Sequence, residues 1–313
     1  MLASGNVVGL PTETVYGLAG DAFNPDAIAR IFEAKLRPLS DPLIVHLPKA
    51  DWLERVASFD SLAQRRLVEK LAAAFWPGPL TLLLPKRADL PDLVTAGSSH
   101  VAVRVTSHAC FQEVLTRLDS PIAAPSANRF GSISPTSAED VRLELGESIE
   151  LILDGGPCFH GVESTIVGFR AEELSILRPG PITRDQLKEY GQVSSSSENV
   201  NSPGSLPGHY APKKELQIID ADISSASAGA FLAFCQPRQG FAALEILSPK
   251  GDLREAAANL YGALRRLDRS PAVKIYAEPV PEEGIGVAIM DRLRRASYGS
   301  KNEIGHLPTG NTF

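Results

Sequence analysis

The chain has 313 residues, 43% of them hydrophobic and 22% charged, with a formal net charge of −6. This length suits two domains and this balance an ordinary folded protein. The acidic sum excludes a protein that coats nucleic acid through a global positive field, yet leaves room for a local basic pocket suited to a small anion. No apolar run approaches the roughly 20 residues that span a bilayer. The opening MLASGNVVGLPTETVYGL lacks a basic n-region and a long apolar h-region, so no secretory leader and no membrane partner are expected.

In chain order, Asn24-Pro25-Asp26 reads as a helix start, because Asn caps free amides and Pro is pre-set for the first turn. Ala27, Ile28, Ile31 and Phe32 continue it as an apolar stripe to about Lys35, and Pro38 pushes Arg37 out of helical geometry. Pro42 to Leu47 reads as a strand. A helix follows near Ser61 to Phe75, ending at the stiff Trp76-Pro77-Gly78-Pro79. Strands are predicted at Leu80–Leu84, Val101–Val105, Ile149–Leu153, Ser164–Gly168 and Leu174–Leu177, with a helix near Ala138–Leu145. The irregular alternation predicts a twisted, partly antiparallel α/β sheet. Ser194 to Ser205 is polar, Ser-rich and aperiodic, a flexible linker by composition. Beyond it, predicted strands at Leu216–Ile219, Ala230–Phe234, Ala242–Leu247 and Ala272–Tyr276 alternate with amphipathic helices at Asp252–Leu267 and Ile285–Ala296. That pattern fits a small Rossmann-like domain without its glycine-rich fingerprint. The tail from Tyr298 to Phe313 is polar and expected to be loosely ordered.

The chain contains no GxxxxGK[ST] loop, HExxH, GxSxG elbow or CxxC pair, which removes support from ordinary ATPase, metalloprotease and hydrolase readings. Cys110, Cys158 and Cys235 are odd in number and far apart, so free thiols in a reducing cytoplasm are expected. Four polar segments remain. Pro11 to Leu18 (PTETVYGL) groups hydroxyls, a carboxylate and an aromatic; a capped turn is the plain alternative. Lys35 and Arg37, followed by Asp41 and His46, place two cations at a helix end, where they suit either a phosphate or simply the helix dipole. His46 sits in an apolar strand, where a core histidine is also ordinary. Pro121 to Asn128 (PIAAPSAN), with Ser134 following, offers small residues that let a ligand approach the backbone; a loop after a strand is the alternative. Gly161 to Thr165 (GVEST) is followed by Arg178 in LRPG, and Arg104 sits in VAVRV. Alternation points Arg104 away from the valine face. Solvated arginines are the alternative for both.

PTETVYGL, KxRP followed by PLIVH, FWPGPLT, VAVR, PIAAPSAN, GVEST and LRPG together resemble the YrdC-type threonylcarbamoyl-adenylate synthases. Ser202-Pro203-Gly204 with His209-Tyr210-Ala211-Pro212 is similar to the linker signature of the longer, two-domain members. The resemblance implies a YrdC-type twisted mixed sheet with a concave positive cavity, plus a smaller Rossmann-like domain. With the chain reading it divides the sequence into 1–190, a linker or lid at 191–213, 214–297 and the tail at 298–313. It implies synthesis of threonylcarbamoyl-AMP and pyrophosphate from L-threonine, bicarbonate and ATP, with Mg²⁺ entering on ATP and no dedicated protein metal site. A tRNA threonylcarbamoyl-transferase complex would then modify tRNAs reading ANN codons, in the cytoplasm. Weak RNA binding is compatible with this reading.

By the same resemblance, Thr14, His46, Arg104, Ser126 and Ser164 would hold threonine. Lys35, Arg37, Asp41, Asn128, Ser134 and Arg178 would hold ATP, with His209 and Tyr210 closing from the linker and Lys35 and Arg37 as the catalytic cations. Three departures stand out. The motif at Pro11 lies close to the start, where relatives carry more sequence, so a longer native N-terminus is one expectation. Asp41 stands where relatives often have Asn. The linker reads SLPGHYAP rather than a more basic and aromatic approach to HYAP. The competing readings are a carbamoyl-adenylate module of hydrogenase-maturation type, which sits in larger chains with acylphosphatase and zinc segments, and a non-catalytic double-stranded RNA-binding module.

Overall fold

The structure, a computed structural model, describes residues 1–170, 173–195, 203, 208–219 and 226–302. The N-terminal part runs β1 (Val8–Leu10), β2 (Gly17–Asp21), α1 (Pro25–Lys35), β3 (Ile44–His46), α2 (Leu53–Val56), α3 (Leu62–Phe75), β4 (Leu80–Pro85), β5 (His100–Arg104), α4 (Ala109–Leu118), β6 (Ile122–Ala123), α5 (Ala138–Leu145), β7 (Thr165–Arg170), β8 (Glu173–Arg178), α6 (Arg184–Lys188) and β9 (Val193–Ser195). Its nine strands form one sheet in the order β1-β2-β6-β3-β5-β4-β7-β8-β9. The β3–β5, β4–β7 and β8–β9 pairs are parallel and the rest antiparallel, so this is the mixed sheet that the irregular alternation predicts. The expected strand at Ile149–Leu153 does not form: among the described residues, only an isolated parallel bridge joins Gly9 to Ile152. The apolar run there packs without extending a ladder, since Ile149 and Ile152 join the main core directly.

The helix boundaries follow local chemistry. Asn24 caps α1 by accepting from the amides of Asp26 and Ala27. Ile28 and Ile31 are fully buried, each contributing roughly 1.5–3 kcal/mol relative to exposure. Leu36 ends the helix in the left-handed region (φ 52°) and faces solvent, 68% exposed. This reversal turns both Lys35 and Arg37 inward. Ser61 caps α3 and Ser137 caps α5, each through its side-chain oxygen.

The sheet's two faces differ. Val45, Val101, Val103, Leu82 and Leu84 enter the large core beneath α1 and α3. The opposite face carries only a small apolar floor of Ile44, Leu83, Ala102 and Ile166. His46 and Arg104 are register partners on that second face, so alternation does turn Arg104 away from the valines.

The C-terminal part comprises β10 (Glu215–Ile218), β11 (Ala226–Ala233), β12 (Phe241–Ile246), α7 (Leu253–Arg269), β13 (Lys274–Ala277) and α8 (Gly286–Asn302). Its four strands, in the order β10-β13-β11-β12, are all parallel, giving a second and smaller sheet. The linker expected from Ser194 to Ser205 begins instead inside β9, where Ser194 and Ser195 pair with β8. Most of its remainder lies outside the described residues. Likewise α8 carries the chain through Tyr298 to Asn302, so the first residues of the expected loose tail are helical. Residues 303–313 lie outside the described residues.

Candidate functional site

A cavity opens over the small apolar floor of the nine-stranded sheet. Thr14, Arg37, His46, Arg104, Ser126, Ser164, Arg178, His209 and Tyr210 line it, together with Thr12, Glu163 and Pro203. It is assembled from strand ends and tight turns. His46 ends β3, Arg104 ends β5 and Arg178 ends β8, while Ser164 immediately precedes β7. Ser126 is bridged to Gly17 at the start of β2. A Cβ on Gly17 would stand 3.1 Å from the Ala124 methyl, so this glycine lets the PTETVYGL turn and the PIAAPSAN loop approach closely.

Two clusters of charge share the cavity. In the first, Arg104 sets an Nη2–Oε1 distance of 2.7 Å to Glu13 and donates to the Thr14 hydroxyl at 2.9 Å and the Gly78 carbonyl at 3.2 Å. Thr106 donates to the other Glu13 oxygen. Thr12 gives its proton to the Val15 carbonyl at 2.7 Å, so Thr14 must be the donor in the 2.8 Å Thr12–Thr14 contact. Thr14 is thus oriented with its lone pairs toward Arg104. Burial alone would raise the Glu13 carboxyl, but Arg104 and Thr106 outweigh it and hold its pKa at about 2. Burial, reinforced by the Arg104 charge, pushes the His46 imidazole down to about 3, leaving it neutral at physiological pH. Its ring packs on Phe111 with centroids 4.9 Å apart.

In the second cluster, Arg178 donates to the Ser164 carbonyl and hydroxyl, both at 3.1 Å, and to the Pro203 carbonyl at 3.0 Å. Arg37 is held by Asp41 at 2.9 Å and by the Asp41 and Pro42 carbonyls at 3.0 and 2.7 Å. Burial pulls the Arg37 pKa down from its ordinary value. His209, at the linker's end, is pushed down to about 3 by burial and by Arg37 beside it. Its ring meets Phe130 edge-on at 5.0 Å. Tyr210 follows in the left-handed region (φ 66°), an uncommon conformation for a residue with a side chain.

Lys35, Asp41, Asn128 and Ser134 stand outside this lining. Lys35 is 1% exposed and donates to the carbonyls of Ser126 and Asn128. Burial, with Arg37 nearby, drives its pKa well below the usual lysine value. It therefore braces the Ser126–Asn128 loop from behind. Asp41, fully buried, anchors Arg37. Asn128 ties the loop by donating to the Arg129 and Ser132 carbonyls. Residue-by-residue reading missed Glu163, which lines the cavity, and Glu13, which holds Arg104 in place beside it. Both lie inside the segments singled out, and a carboxylate within an otherwise anion-binding motif was the available signal. Among the described residues, no group of three or more His, Cys, Asp or Glu side chains stands ready to hold a metal ion. Nor is any helix long and apolar enough to cross a membrane.

The arrangement suits two anionic or polar ligands side by side. Among the described residues, contacts occupy three of the five N–H groups on Arg104 and on Arg178. The remainder are pre-oriented donors on rigid strand ends, suited to a carboxylate or phosphate. Among the described residues of the lining, no nucleophile is paired with a base.

Comparison with known proteins yields a consistent picture. Residues 1–180 match the Sua5_yciO_yrdC family, described as "Telomere recombination", and residues 182–297 match "Threonylcarbamoyl-AMP synthase, C-terminal domain". The chain is 36% identical to the threonylcarbamoyl-AMP synthase of Pyrococcus abyssi, covering 95% of this chain and 92% of that one. It is 37% identical to the enzyme of the same name from Bacillus subtilis, covering 96% and 91%. The crystal structure of P. abyssi Sua5 complexed with L-threonine superposes with a TM-score of 0.86 at 35% identity, over 96% of this chain and 92% of that one.

Proposed function

This chain belongs to the Sua5–YrdC family of threonylcarbamoyl-AMP synthases, enzymes of nucleotidyltransferase type, and on that premise we propose that it joins L-threonine, bicarbonate and ATP into threonylcarbamoyl-AMP and pyrophosphate. The observation that carries this reading is one cavity in which Thr14, His46 and Arg104 face the same space as Arg37 and Arg178. The threonine carboxylate would take the free N–H groups of Arg104. Thr14 and the neutral His46 would orient the hydroxyl and amine, with Ser126 and Ser164 completing that subsite. The triphosphate would lie toward Arg178 and Arg37. Lys35, Asp41, Asn128 and Ser134 would support that side by fixing the loops around it.

The amine adds to bicarbonate with loss of water, or to carbon dioxide derived from it with loss of a proton, giving the carbamate. The carbamate oxygen then attacks the α-phosphorus and pyrophosphate leaves. No covalent enzyme intermediate is needed. Carbamate is short-lived in water, so holding the reactants together is the main catalytic task, and pre-organised encounter contributes on the order of 7–11 kcal/mol. Mg²⁺ would enter on the phosphate oxygens. The buried carboxylates Glu13, Asp41 and Glu163 are each engaged by an arginine, which suits a cation carried by the nucleotide.

His209 and Tyr210, 8% and 4% exposed, would act as a lid that keeps water from the mixed-anhydride product. In the cytoplasm a transferase complex would then pass the threonylcarbamoyl group to tRNAs reading ANN codons. The test is pyrophosphate release from ATP. It is expected to require both threonine and bicarbonate, and ATP turnover indifferent to either would overturn the reading.

A further inference from the structure

Glu163 lies at the cavity wall, yet its carboxylate is turned into the junction between the two sheets. Arg292 of α8, 1% exposed, meets it at 2.7 Å through Nε. The Tyr261 hydroxyl of α7 reaches its two oxygens at 3.0 and 2.9 Å. Arg292 also donates to the Pro179 carbonyl at 3.1 Å, one residue beyond Arg178. The same two C-terminal residues support Tyr210 of the linker: Tyr261 stacks against its ring at 5.9 Å and 27°, and the Arg292 guanidinium lies 5.0 Å over it. All four side chains are buried. Ser164, next to Glu163, supplies both the carbonyl and the hydroxyl that hold Arg178.

A carboxylate here is a hazard for an anion site. Glu163 and Arg178 line the same cavity, and Ser164, the residue after Glu163, is bonded to Arg178. Released from its present partners, Glu163 would pair with Arg178 and compete with a phosphate for it. We propose that Arg292 and Tyr261 are positioning residues of the synthase site, which sequester the Glu163 carboxylate from Arg178 and seat the Tyr210 ring, so that the C-terminal domain sets the affinity of the cavity's nucleotide side. The inference rests on the cavity reading given above. Arg104 and its partners belong to the other cluster and share none of these contacts, so on the threonine side the clamp adjoins Ser164 alone and should disturb threonine recognition far less than ATP recognition.

The experiment measures KM for ATP and for threonine by pyrophosphate release in the full chain, together with amide exchange of residues 162–165 and 208–211 without ligands. Arg292→Met is expected to raise the ATP KM about tenfold or more, the scale of a lost hydrogen bond to a charged group, and Tyr261→Phe about threefold, because Arg292 still holds Glu163, with threonine KM within about twofold. Adding Glu163→Gln to Arg292→Met should bring the ATP KM back toward wild type, because the competing charge is gone. A merely structural role would give no such rescue. If ATP and threonine constants rise together, or the double variant is no better than Arg292→Met, the proposal is overturned. Should Arg292→Met not fold, an unchanged ATP KM in Tyr261→Phe overturns it alone. Wild-type protein without threonine-dependent pyrophosphate release would defeat the cavity reading instead. The clamp is then decided by exchange, since unaltered protection of both segments in Tyr261→Phe rejects it.

Discussion

The two sheets invert the usual relation between regularity and chemistry. The C-terminal sheet is small, wholly parallel and flanked by long amphipathic helices, and its strands bury Ala230, Leu232, Ile275 and Ala277 in an apolar core. The N-terminal sheet mixes parallel and antiparallel pairs, and one face carries buried Thr81, Arg104 and Arg178 above a meagre apolar floor. The buried arginines of the regular domain, Arg265 and Arg292, reach across to N-terminal partners: Arg265 meets Glu144 at 2.8 Å and Arg292 meets Glu163. Buried charge costs desolvation and is retained where geometry or function requires it. Its distribution therefore marks the irregular sheet as the site and the regular one as its brace.

That contrast can be broken or sharpened by substitution. The largest effect is expected at Arg104. Arg104→Ala strands the buried Glu13 carboxylate and should destabilise the fold by about 3–5 kcal/mol in a denaturant titration. Adding Glu13→Gln should restore much of that stability without restoring threonine use. A double variant with normal threonine dependence would remove Arg104 from the site.

Arg178→Ala leaves only hydrogen-bond acceptors behind. It should keep its fold while pyrophosphate release falls about 10²–10³-fold, the scale for one preorganised donor. Near-normal turnover would make Arg178 structural. In the brace, Arg265→Ala should cost about 1.5–3 kcal/mol through its charged hydrogen bonds, with KM for threonine unchanged. A selective threonine defect there would blur the division between the regions.

A further effect, spread over the whole domain rather than one contact, is in acid. His46 and His209 have folded pKa values of about 3, below the ordinary 6.5, so the folded state binds fewer protons and stability declines as pH falls from 6.5 toward 3. Glu13, held at about 2 against 4.5, adds stability that is full above 4.5 and lost as pH falls through 2. Residues 214–297 contain no histidine. Hydrogen exchange at pH 5 against pH 7 should thus show the nine-stranded sheet loosening first. Equal loosening of both sheets would contradict these assignments.

Periodicity made most elements legible. Val101 to Arg104 shows why: alternation fixes which side chains share a face whatever the strand's neighbours are. It failed at Ile149–Leu153, where an apolar run satisfies packing without a partner strand. It also missed β1 and β6, which are too short to display a period, and β2, whose residues are buried on both faces and do not alternate. At the site, Thr14, Arg37, His46, Arg104, Ser126, Ser164 and Arg178 of the sequence motifs line one cavity. The motifs could not say that Lys35 would turn behind the Ser126–Asn128 loop.

The amino-acid order by itself determined the caps, the stripe of α1, the valine face of β5 and the family, since each depends on residues near one another in the chain. Only the tertiary structure decided that Glu163 faces Arg292 and Tyr261 rather than Arg178, and that Glu13 fixes Arg104. Those pairs join residues 90 or more positions apart. No local preference specifies such a meeting; it arises when buried charges must find partners as the two cores close.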